Sequence, residues 1–117
     1  MTLNEIKDIL QATVLTSNCD MNMRFDRVYC ADLMSDVLSF CIPESLLITG
    51  LTNPQVIRTA EFANIKTIIF VQGKRPDRKI VAISEEKKIP LLITDLSMFD
   101  ACGRLYEKGL RSCPDAK

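Results

Sequence analysis

The sequence predicts a single α/β domain: an open, mostly parallel sheet of about five strands with helices on both faces. Three observations lead there. "LLIT" at 46–49, "TIIFV" at 67–71 and "PLLIT" at 90–94 are unbroken apolar runs of strand length, the pattern of strands covered on both faces. Each is followed by an amphipathic stretch of helical length, so βα units recur at spacings that permit right-handed crossovers. With 117 residues, 47% of them hydrophobic, the chain has the size and apolar content for one core.

In chain order, Thr2 and Glu5 spell a T-x-x-E capping box, and Leu3, Ile6, Ile9 and Leu10 give the helix from Leu3 to Leu10 one apolar side. "ATVLT" at 12–16 and "RVYCA" at 27–31 read as strands separated by the polar loop "SNCDMN". Asp32 is placed to cap a second helix, with Met34, Val37, Leu38 and Cys41 at i, i+3, i+4 and i+7, and Pro43 ends it. Helices then follow the three apolar strands at about Pro54–Ala63, Pro76–Lys87 and Met98–Lys108. In the last of these, Ser97 and Asp100 repeat the capping logic, and Gly103 in mid-helix suggests close backbone packing. Gly109 ends that helix, leaving Tyr106 and Leu110 as an apolar edge; residues 111–117 read as a C-terminal tail.

Fifteen basic residues balance fifteen acidic ones, so no net field draws a nucleic acid or an acidic membrane. No stretch approaches the roughly 18 apolar residues of a membrane span, and the N-terminus reads as neither signal nor anchor; the expected location is the cytoplasm. The five cysteines, Cys19, Cys30, Cys41, Cys102 and Cys113, form no C-x-x-C pair, and the chain has no histidine. A zinc site or a disulfide framework is not expected. Cys30 and Cys102 read as buried, inert thiols, and Cys19 and Cys113 as exposed ones.

Three segments carry candidate binding chemistry. In "LLITGLTNPQVIR", Asn53 is a strong N-cap with Pro54 at the first helical position. Free backbone N–H groups there, with Thr49, Gly50, Thr52 and Arg58, make either an anion site or a bare turn. It is neither a P-loop nor a dinucleotide fingerprint. In "GKRPDRK", Gly73 and Lys74 lead a basic cluster with Arg75, Arg78 and Lys79 at the next helix start, fit for phosphate or simply solvated. In "DLMSD", Asp32, Ser35 and Asp36 either hold a magnesium ion or, more simply, cap the helix and complement its dipole. No catalytic residue, metal or cofactor is expected, because no acid–base pair or activated nucleophile is legible.

The segments "DLMSDVLSF", "LLITGLTNPQVIRTAE", "IIFVQGKRPD", "IPLLIT" and "MFDACGRLYEKGL", in this order over about residues 1–110, resemble stand-alone members of the DRTGG domain family. Such domains occur beside CBS domains in regulated pyrophosphatases and in phosphotransacetylases, and are similar in fold to the N-terminal domain of HPr kinase. The name-giving motif is replaced here: Leu51, Thr52 and Asn53 follow Gly50 where Asp-Arg-Thr would stand, and Gln72 with Gly73 takes the place of Gly-Gly. The resemblance implies a regulatory, non-catalytic module and carries no kinase activity with it. A homodimer is the expected assembly, with a protein partner or a small anionic ligand such as an adenine nucleotide as the other candidate partners.

Overall fold

The computed structural model describes residues 1–114. Thr2 and Glu5 close the capping box, the Glu5 N–H donating to Thr2 Oγ1 at 3.2 Å and the Thr2 N–H to Glu5 Oε1 at 3.0 Å. α1 (Leu3–Leu10) follows, then β1 (Thr13–Val14), β2 (Arg27–Cys30), α2 (Met34–Phe40), β3 (Leu46–Thr49) and α3 (Pro54–Phe62). The chain continues through β4 (Thr67–Phe70), α4 (Arg78–Glu86), β5 (Leu91–Ile93), α5 (Met98–Glu107) and β6 (Arg111–Ser112). The sheet has six strands in the order β1-β5-β4-β3-β2-β6, with β1 antiparallel to β5 and the other pairs parallel.

The apolar runs are continuous because the sheet has helices on both sides. Leu46, Ile48, Ile69 and Leu92 pack against α1 and α5 through Leu3, Ile6, Leu10, Ala101 and Leu105. The alternate residues Leu47, Ile68, Phe70, Leu91 and Ile93 pack against α2, α3 and α4 through Met34, Val37, Val56, Ile57, Ala60 and Ile80. Each strand thus removes both of its faces from water, at roughly 25 cal/mol per Å² of apolar surface. All the strands that precede a helix on the α2–α4 side point the same way, so their carboxyl ends gather at one edge of the sheet.

Two expectations change. The tail read from residue 111 begins with β6, which pairs Arg27 with Arg111 and Val28 with Ser112, so the sheet gains a sixth strand. Cys113, read as exposed, is buried beside it; residues 115–117 of that tail lie outside the described residues. The second change concerns Asp32. The N-cap of α2 is Leu33, which makes no side-chain cap, and the Asp32 carboxylate is engaged elsewhere. No helix among the described residues is long and apolar enough to cross a membrane.

Candidate functional site

β3 ends in Thr49, whose hydroxyl is fully buried and folds back to accept the Leu51 N–H at 3.1 Å. That bond turns the chain sharply toward α3 and exposes Gly50 at the strand end. Asp32, arriving from the end of neighbouring β2, fills the space above it: Oδ1 accepts the Gly50 N–H at 2.7 Å and the Thr49 hydroxyl at 3.1 Å. Satisfying two donors of the β3–α3 loop outweighs a local cap because those donors would otherwise have no protein partner. The two segments read separately as candidates are therefore one site.

Lys74 joins them from the end of β4. A methyl group placed on Gly50 would lie 3.4 Å from Lys74 Nζ and 3.5 Å from Asp32 Oδ1, so both charges flank the glycine. Lys74 is delivered there by a tight turn in which Gln72 and Gly73 take φ of 57° and 64°. The Gln72 N–H donates to Leu96 O at 2.8 Å and the Gly73 N–H to Thr94 O at 2.9 Å, which anchors the turn to the β5–α5 loop. A methyl group on Gly73 would meet Asp95 Oδ1 at 3.0 Å. Asp95 thereby belongs to the same rim, and nothing singled it out in the sequence. The signal was present: "LLITDLS" at 91–97 repeats "LLITGLT" at 46–52 with Asp95 in place of Gly50.

The other candidate residues divide. Asn53 caps α3, its Oδ1 accepting the Gln55 N–H at 3.0 Å, with Pro54 next to it as expected. Thr52 is half-buried in the loop between Gly50 and that cap. Arg58 is exposed on α3, as are Arg75, Arg78 and Lys79 around the start of α4, where Asp77 supplies the cap by accepting the Ile80 N–H at 3.0 Å. Ser35 is exposed on α2. Asp36 lies near Tyr29 instead: burial first, and the Asp36 charge second, push the Tyr29 phenol upward. No three carboxylates or thiols converge as a metal-ligand set among the described residues.

This arrangement sets limits on its chemistry. The backbone N–H groups of Gly50, Leu51 and Gln55, which an anion would use, already have partners, so Asp32 occupies the place of a bound anion. Lys74 is the cation beside this loop, and the Asp32 carboxylate already holds the Gly50 N–H that an anion would take.

A second feature lies along the β2 edge, beside α5. Val28, Cys30, Phe99, Cys102, Gly103 and Tyr106 line an open apolar groove of about 440 Å³. Gly103 does not pack closely on a neighbour as the sequence suggested: a methyl group there would have no neighbour within 4 Å, so the glycine deepens the groove.

A search of curated proteins finds no match. Among solved structures, the chain is similar to the CBS and DRTGG domains of the regulatory region of Clostridium perfringens pyrophosphatase, a structure in complex with its activator diadenosine tetraphosphate. The identity is 18% and the TM-score 0.76, over 89% of this chain and 45% of that one, so the chain spans less than half the length of that region and the likeness is one of fold. The profile of the DRTGG domain matches residues 5–107, and the chain belongs to the DRTGG domain family.

Proposed function

We propose that this chain is a non-catalytic regulatory module of the cytoplasm that acts by associating, first with a second copy of itself. The observation that carries this reading is the apolar surface along the β2 edge. Phe99 is 85% exposed and Tyr106 63%, both lining the groove, and Tyr29, which also lines it, stacks on half-exposed Phe40 at a ring separation of 6.3 Å. Exposed apolar residues gathered around a groove, rather than scattered, mark an association surface. A symmetric dimer would cover it with the same residues from both copies.

Sedimentation velocity and native mass spectrometry test this directly. The expected species is a dimer at micromolar concentration, converted to monomer by Phe99→Asp with little change in unfolding midpoint, since Phe99 packs on little within its own chain. A monomer across that range would discard the reading. The purified protein is also expected to turn over no ATP and no phosphate ester.

The second reading is an adenine-nucleotide or other phosphate sensor. It is favoured by the convergence of Gly50, Lys74 and Asp32 at the carboxyl ends of parallel strands. The fold neighbour, solved in complex with a dinucleotide polyphosphate, lends it further support. Calorimetry with AMP, ATP and a dinucleotide polyphosphate is the test. Binding that weakens with salt, with Lys74→Ala and with Thr52→Val supports a phosphate site; no heat and no thermal stabilisation at millimolar nucleotide removes it.

A further inference from the structure

The floor of the apolar groove holds a pair of thiols. Cys30, the last residue of β2, and Cys102, in the second turn of α5, are 72 residues apart in sequence, yet their Sγ atoms lie 2.6 Å apart. Both are half-buried and both line the open groove, so small molecules in the solvent reach them. No short spacing connects the two residues, so the pairing is not legible along the chain. We propose that Cys30 and Cys102 form a reversible dithiol–disulfide modification site, oxidised by small-molecule disulfides of the glutathione class.

The step balances as two exchanges. The Cys102 thiolate attacks one sulfur of the oxidised reagent; the reagent's S–S bond breaks, a mixed disulfide forms on Cys102, and the first reagent thiol leaves as thiolate and takes up a proton. The Cys30 thiolate then attacks the Cys102 sulfur of that mixed disulfide and releases the second reagent thiol. Two electrons pass from the protein to the reagent, which leaves as two thiols. The bond needed, about 2.05 Å, requires only a small closing movement of two sulfurs already in contact.

The order of attack follows from the shared hydrogen bond. In the neutral pair the Cys102 thiol donates to Cys30. When Cys102 ionises, the Cys30 S–H turns to stabilise the thiolate, which lowers the Cys102 pKa; the same bond, with burial, pushes that of Cys30 up. Cys102, the thiol that the shared bond helps to ionise, attacks first. A second thiol contact, Cys41 with Cys113 at 3.9 Å, is a poorer candidate: Cys113 is buried and shares a 3.2 Å contact with Ser45 Oγ. Burial, chiefly, pushes the Cys41 thiol up to about 12. The disulfide would tie α5 to β2 across a long loop, which restricts the unfolded chain and raises the unfolding midpoint.

The experiment uses the full chain, reduced and then incubated with oxidised glutathione, alkylated with N-ethylmaleimide in denaturant so that buried Cys113 also reacts, and digested without reductant. Two of the five cysteines are expected to escape alkylation, in a single cross-linked peptide joining Cys30 to Cys102. The thermal midpoint should rise and return to its starting value with dithiothreitol. Cys30→Ser should accumulate a glutathione adduct on Cys102, whereas Cys102→Ser should leave Cys30 largely unmodified. Five alkylated cysteines, a cross-link through any other cysteine, or a cross-link between chains would overturn the proposal; these readouts on the unaltered chain stand even if a serine variant fails to fold. Faster adduct formation on Cys30 than on Cys102 would overturn the order of attack. A dimer closed over the groove would cover both thiols, so the oxidation is run at a concentration where sedimentation shows monomer and repeated with Phe99→Asp; a Cys30–Cys102 cross-link in the monomer supports the proposal, and its absence there overturns it.

Discussion

The ends of β3 and β5 are built from nearly the same residues, "LLITGLTN" at 46–53 and "LLITDLSM" at 91–98, and do different work. In both, a buried threonine hydroxyl accepts the N–H two residues on: Leu51 to Thr49 at 3.1 Å, Leu96 to Thr94 at 3.2 Å. In both, a polar side chain then caps the next helix, Asn53 for α3 and Ser97 for α5. They part at the other end of the hydroxyl. Thr94 donates to the carbonyl of buried Leu10 at 2.7 Å and fastens α1 to the sheet, while Thr49 donates to the exposed carboxylate of Asp32 at 3.1 Å. One local motif thus serves as an internal fastening in one place and as the floor of an open, charged site in the other. The difference is set by what arrives from elsewhere in the chain.

The sharpest way to break this comparison is to remove each hydroxyl. Thr94→Val leaves the Leu10 carbonyl without its partner in the interior and is expected to destabilise the protein by about 2 kcal/mol, within the range for an unsatisfied buried group. Thr49→Val should cost only about 1 kcal/mol, because water can replace the hydroxyl at the exposed Asp32. Urea unfolding at neutral pH measures both, and equal losses would mean that the two strand ends are energetically equivalent.

Next in size are the glycines that border the site. Gly73→Ala forces a side chain into a φ of 64° and a methyl group to 3.0 Å from Asp95 Oδ1. The expected loss is about 1 kcal/mol. Gly50→Ala meets Lys74 and Asp32 only at ordinary contact distance, 3.4 and 3.5 Å, with no left-handed backbone to maintain. Its stability should change by less than about 0.5 kcal/mol. A larger loss at Gly50 than at Gly73 would reverse the assignment of which glycine is structural.

The smallest stability effects, and the most informative about binding, are expected at the charges. Asp32→Asn keeps an oxygen acceptor for Gly50 and Thr49 while removing the charge that competes with an incoming anion; Lys74→Ala removes the attraction. Both should leave the unfolding midpoint nearly unchanged. If the site takes phosphate, Asp32→Asn should tighten ATP binding several-fold and Lys74→Ala weaken it, with both changes shrinking at high salt. Calorimetric titration checks the pair, and shifts of the same sign in both variants would remove Asp32 as the internal anion.

Much of the architecture was legible because it is written in short-range patterns. Three continuous apolar runs meant strands covered on both faces, and the caps at Thr2, Asn53 and Ser97 depend on residues within one helical turn. The candidate site was legible only in pieces. Gly50, Thr49, Lys74 and Asp32 all stand out as candidates, but Asp32 falls in a different segment, as a magnesium ligand or more simply a cap, because along the chain it precedes a helix and nothing local links it to Gly50. Arg58 and Ser35 are exposed on α3 and α2, and the Asp36 charge acts on Tyr29; none of the three makes a hydrogen bond with Gly50, Asp32 or Lys74 among the described residues.

By itself, then, the sequence determined an α/β domain, the positions of its helices and central strands, and the family to which the chain belongs. Each of these rests on periodicity, capping or motif order within a few residues. Tertiary structure alone decided that Asp32 would leave α2 for the β3–α3 loop, that Asp95 would face Gly73, that "RS" at 111–112 would become an edge strand, and that Cys30 would meet Cys102. Those outcomes pair residues from separate elements, some of them more than seventy positions apart. Their free energies depend on which strand ends and helix faces the packed core places side by side. A two-residue strand or a lone carboxylate has no periodicity of its own from which that placement could be read.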